Sequence, residues 1–62
     1  MNNIGLYVAI RSAHKAFNGV ACDELCAVAR KRIKHMERIG DARSRRDIDA
    51  LRRAVASTGA AL

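Results

Sequence analysis

Ile4-Gly5-Leu6-Tyr7-Val8-Ala9-Ile10 is the stretch on which the fold turns. Ile4, Leu6, Val8 and Ile10 alternate with the intervening residues, which is the period of a half-buried strand. The same residues also open a helical stripe, because Leu6, Ile10, Ala13 and Phe17 recur at steps of four, three and four. That stripe outruns the five or six residues of an ordinary strand, so a helix over residues 3–18 is the preferred reading. Asn18-Gly19 supplies its chain-reversing stop, and Phe17 is assigned to the core. A strand followed by two helices is the alternative.

Two further segments carry the same period. Residues 22–39 place Cys22, Leu25, Cys26, Ala29, Ile33, Met36 and Ile39 on one face, with Asp23 and Glu24 at the start and Arg38 at the end, as a helix dipole favours. Gly40 suits the left-handed residue that closes a helix. Residues 44–57 begin with Ser44-Arg45-Arg46-Asp47, a Ser-x-x-acid start, and carry Ile48, Leu51 and Val55 as their apolar face. None of these narrow stripes is stable alone in water. The expectation is a single all-α domain over residues 1–62, a small bundle of three short helices.

Length sharpens that expectation. A chain of 62 residues buries only about 60% of the surface its unfolded form exposes, so disulfides, a metal or self-association would be natural supports. With two cysteines and no recognisable secretory signal, disulfides are not expected. As a helix, residues 4–10 are apolar on nearly every side. Ile4, Leu6, Tyr7, Val8 and Ile10 all need cover, and a second copy of the chain is the simplest source, which makes a homodimer the expected state.

The basic residues Arg11 and Lys15 follow the apolar run of residues 4–10 instead of preceding it, which is the wrong order for a signal peptide. No run approaches the roughly 18 apolar residues of a membrane span. No membrane partner and a cytoplasmic location are expected.

Cys22 and Cys26 stand four apart, and with His14 and His35 they contain the donors of a tetrahedral zinc site. Nothing in the spacing brings those histidines to one point, and both cysteines lie on the apolar stripe. They are read as small buried hydrophobes, with no metal and no cofactor expected. A Gly-rich phosphate loop, paired carboxylates on an apolar face and a nucleophile turn are all missing from the sequence, so an enzyme is not expected.

Charge is the informative feature. Residues 1–29 balance Arg11 and Lys15 against Asp23 and Glu24, whereas residues 30–62 set ten Arg or Lys against Glu37, Asp41, Asp47 and Asp49, so the whole net charge of +6 lies there. Arg30, Lys34 and Arg38 step by four along the second helix with Lys31 and His35 beside them. On the third helix Asp49 can pair with Arg45, Arg52 or Arg53, and Asp47 with Arg43, leaving Arg46 the least paired. The candidate basic face is therefore Arg30, Lys31, Lys34, Arg38 and Arg46.

Such a face suits either an acidic or grooved surface on a larger protein or the phosphates of nucleic acid. Base-specific readout is not supported. A helix-turn-helix over residues 36–53 would put Arg46 and Asp49 at apolar positions, and a ribbon-helix-helix strand would face the bases with Gly5, Tyr7 and Ala9. Tyr7 and Phe17 are the only aromatics, too few for a stacking platform. The preferred expectation is a small non-enzymatic regulator, adaptor or inhibitor of a larger protein, with nucleic-acid binding as the alternative.

Overall fold

Helix wins over strand throughout the opening stretch. In a computed structural model that describes residues 2–59, the chain forms α1 (Asn3–Lys15), α2 (Gly19–Ile39) and α3 (Ala42–Ser57), and no strand occurs among the described residues. Each helix packs on both others, giving the three-helix bundle, with extents of 34 × 19 × 17 Å.

The ends of the helices follow from local chemistry. Asn2 caps α1, its side-chain oxygen accepting the Gly5 amide at 2.7 Å. At the other end the Phe17 amide reaches His14 O and the Asn18 amide reaches Ala13 O, both at 3.0 Å, which is the paired pattern of a Schellman stop. Asn18 then turns round and caps α2, its Oδ1 accepting the Ala21 amide at 3.2 Å. One residue thus closes one helix and opens the next. For that reason α2 begins at Gly19, three residues ahead of the start expected at Cys22.

Gly40, at φ +72°, ends α2 in the left-handed conformation that the sequence calls for. The start of α3 differs from expectation. Asp41 is the cap, accepting the Ser44 amide at 2.7 Å, and Ser44 lies inside the helix and is buried. Asp is as good a cap as Ser and adds a negative charge at the positive end of the dipole. Starting at Ala42 also adds two hydrogen-bonded residues to the helix.

The core joins Leu6 and Ile10 of α1 to Cys22, Cys26, Ala29, Ile33 and Met36 of α2 and Ile48, Leu51, Ala54 and Val55 of α3. It contains no aromatic ring. A fully buried Leu, Ile or Val contributes about 1.5–3 kcal/mol, so Leu6, Ile10, Leu51 and Val55 are its main supports. Two expected core members are outside it. Ile39, the last residue of α2, is 55% exposed, and Phe17 is 95% exposed. Phe17 leaves the core because it is the residue after the cap, with φ +55°, where the chain has already turned away from the bundle.

Candidate functional site

The apolar surface expected over residues 4–10 is smaller than the sequence implies. Leu6 and Ile10 are completely buried in the molecule's own core, and Tyr7 packs against that core, so none of the three offers a free apolar face. Tyr7 instead carries Arg11, whose guanidinium carbon lies 5.9 Å from the ring centroid and whose Nη1 donates to the phenol oxygen at 3.5 Å. Ile4 and Val8 remain exposed. Among the described residues the other exposed large apolar side chains are Phe17, Val20, Val28 and Ile39. All six therefore lie on α1, on α2 or on the turn between them, and α3 has none.

Phe17 is the most unusual of the six. Position C′ of a Schellman stop is normally Gly, because a Cβ in the left-handed region costs roughly 1–2 kcal/mol. Here that position holds a phenylalanine whose ring buries almost nothing. The side chain borders a shallow recess of about 390 Å³ at the end of the bundle, with Ala13, Cys22, Asp23 and Thr58 among its other lining residues. The sequence hints at this only through Asn18, which caps the next helix well and so forces Phe17 into the turn.

The basic face is divided by the fold. Lys31, Lys34 and Arg38 are exposed on the side of α2 away from its core residues, with His35 beside them. Arg30 is half-buried on the α3 flank of the same helix and is engaged within the fold. Glu37 turns toward α3 and pairs with Arg52 at 3.7 Å, so its charge is partly committed away from the stripe. On α3, Asp49 pairs with Arg53 at 3.8 Å, one of the arrangements expected.

Asp47 does something else. Its Oδ2 accepts Asn3 Nδ2 at 2.7 Å, and Asn3 Oδ1 in turn accepts Arg32 Nη1 at 3.1 Å. This three-helix network has no sequence signal, since its members stand 29 and 44 residues apart. Beside it lies an open groove of about 630 Å³ lined by Ile4, Arg32, Ile39, Arg43, Arg46 and Asp47 among others. Arg46, exposed, belongs to this groove and not to the α2 stripe.

Cys22 and Cys26 are free thiols in the core, as their stripe implies. Burial pushes the Cys26 thiol up, while the Thr58 hydroxyl, 3.9 Å away, acts in the opposite direction. His14 and His35 are exposed, and among the described residues no group of three or more His, Cys, Asp or Glu is placed to hold a metal ion. No helix among those residues is long and apolar enough to cross a membrane. The chain matches no family model, no curated protein and no solved structure.

Proposed function

We propose that this chain is a small non-enzymatic binding protein, a regulator, adaptor or inhibitor that docks on a larger protein with an acidic or grooved surface. The observation that carries this reading is Phe17, an almost fully exposed aromatic held in a conformation that glycine would adopt without strain. Backbone strain concentrates where function requires it, and aromatic residues with arginine dominate binding hot spots. Val20 stands near Phe17 in the chain, and Arg11, His14 and Lys15 occupy the last turns of an α1 that contains no acid. A partner offering an apolar pocket rimmed by carboxylates fits that set. Self-association of the chain and a cytoplasmic location belong to the same reading.

Nucleic-acid binding is a second reading, favoured by one specific observation. Lys31, Lys34 and Arg38 share an exposed face, and the ion pairs found among the described residues involve none of them. Such a stripe would contact phosphates without reading bases.

The two readings separate in one experiment. Immobilised parent protein, a Phe17→Gly variant and a Lys31→Ala/Lys34→Ala/Arg38→Ala variant are compared for capture from cell lysate and for binding to generic duplex DNA across a salt series. Protein docking predicts that capture is lost with Phe17→Gly and that DNA binding is negligible near physiological salt. Phosphate binding predicts DNA affinity that falls steeply with salt and is lost in the triple variant. Unchanged capture by Phe17→Gly would overturn the preferred reading.

A further inference from the structure

We infer that the groove at the Asn3 end of the bundle binds an extended acidic peptide of a partner protein, with carboxylates on Arg43 and Arg46 and an apolar side chain in the recess between α1 and α3. This rests on the reading of the chain as a protein-binding module, but on residues at the opposite end of the bundle from Phe17.

The site begins with a hydrogen bond that redirects a charge. Spacing along α3 offers Asp47 to Arg43, four residues earlier. In the fold Asn3 takes Asp47 Oδ2 at 2.7 Å instead, and the ion pairs found among the described residues include neither Arg43 nor Arg46. Both arginines are exposed and line the groove of about 630 Å³, where Asp47 is the only acid among the described lining residues. Arg32 adds a third cation, held by Asn3. Asp41 is near enough for Arg43 to help keep it ionised, but its Oδ1 accepts the Ser44 amide and it lies outside the lining. The groove is therefore basic.

Apolar surface borders these charges. Ile4 is 75% exposed and Ile39 55% exposed, and both line the same groove. Asn3, Ile4 and Asp47 also line a smaller recess of about 150 Å³ walled by Tyr7 and Ala50, so the two spaces are continuous. A space of about 150 Å³ takes a group the size of benzene, and so the end of one aliphatic side chain. Arg11 stands over the Tyr7 ring.

Spacing and charge select the occupant. Arg46 and Ala50 are four residues apart on α3, a rise of about 6 Å. In an extended peptide, side chains two positions apart point the same way and stand about 6.6 Å from each other. A carboxylate on Arg46 thus sets the side chain two positions along over the recess at Ala50, and an acid two positions back reaches Arg43. The isoleucines favour such a peptide over other polyanions. Phosphates of nucleic acid would use the arginines but leave Ile4 and Ile39 in water, and a flat bilayer does not enter a groove between helices. An acidic peptide with one apolar side chain meets both the charge and the apolar walls.

A random peptide library displayed on phage and selected on the immobilised full chain tests the inference, the selected peptides then being measured by fluorescence anisotropy. Selection should enrich an acid two positions from a leucine, isoleucine or methionine, with dissociation constants of about 10–100 µM. Arg43→Glu and Arg46→Glu should each weaken such a peptide about 10-fold, and the double variant should prefer the counterpart with lysines in place of its acids. Asp47→Asn keeps an acceptor for Asn3 while removing the acid of the groove, and should tighten binding about threefold. Ile4→Ser should weaken it about threefold. Far-UV circular dichroism identifies any variant that fails to fold. Phe17→Gly and the Lys31→Ala/Lys34→Ala/Arg38→Ala variant should bind the peptide as the parent does.

Selected peptides that lack this pattern, or that bind the double arginine variant as tightly as the parent, overturn the inference. Duplex DNA or phosphatidylserine vesicles that depend on Arg43 and Arg46 where the peptides do not would give the groove to a different occupant and overturn it equally. If that happens while capture from lysate is still lost with Phe17→Gly, the groove falls and the protein-docking reading stands. Peptide binding that depends on Arg43 and Arg46, beside capture that ignores Phe17→Gly, upholds the groove and removes Phe17 as the anchor of that reading.

Discussion

Asn3 Nδ2 donates to Asp47 Oδ2 at 2.7 Å and so ties the first turn of α1 to α3, across 44 residues of chain. The other side of the same amide accepts Arg32 of α2, which makes Asn3 the polar junction of all three helices at that end of the bundle. A part-buried hydrogen bond to a charged group is worth about 1.5–3 kcal/mol, less where water competes. Asn3→Ala should therefore destabilise by about 1–2 kcal/mol and lower the thermal midpoint by roughly 5–15 °C in a domain of this size. Thermal denaturation by circular dichroism checks it, and an unchanged midpoint would remove the junction from the account of stability.

Phe17 gives a prediction of the opposite sign. The ring buries almost nothing and its backbone sits at φ +55°, so Phe17→Gly loses no packing and relieves the strain. Stability should be unchanged or raised by up to about 1 kcal/mol, the extra freedom of glycine in the unfolded chain offsetting part of the gain. Phe17→Ala keeps the strain and should not stabilise. A clear loss of stability in the glycine variant, read by urea denaturation, would show that the ring packs on the bundle.

Asp41 predicts a pH response. The Ser44 amide holds its carboxyl below the usual carboxylate range. A group whose folded pKa is depressed contributes stability above its unfolded pKa of about 3.9 and loses it as pH falls through the folded value. Stability should thus decline in acid below about pH 4. Asp41→Ser keeps a capping oxygen without the titrating charge and should flatten this part of the profile. Equal acid slopes in parent and variant, from urea midpoints between about pH 2 and pH 6, would exclude Asp41 as a source.

The thiols provide a test of the core. Cys22 and Cys26 are buried and burial raises the Cys26 pKa, so both should react slowly with a disulfide reagent at neutral pH and react fully on unfolding. Replacing Cys26 by Ala should cost about 1 kcal/mol through lost packing. Rapid labelling of two thiols in the native protein would show that this end of the bundle opens.

Spacing along the chain sets the second and third helices, most of the core and the uneven distribution of charge, and favours a helix over a strand for the first segment. Each of those follows from short-range spacing: Leu6 and Ile10, Cys26 and Ile33, or Ile48 and Val55 share a face whatever their neighbours do, and Gly40 ends a helix for reasons internal to the turn. The candidate site was legible only in part. Lys31, Lys34 and Arg38 are exposed because they stand opposite an apolar stripe, which spacing already states.

The rest depends on packing, because burial follows from which helix lies beside which. Tyr7 looked like surface for a partner until the bundle took it against its own core. Phe17 looked like core until Asn18 was needed both to close α1 and to open α2, which left the aromatic on the outside of the turn. Asn3 and Asp47 carry no local signal, and their hydrogen bond exists only because antiparallel packing returns the start of α3 to the start of α1.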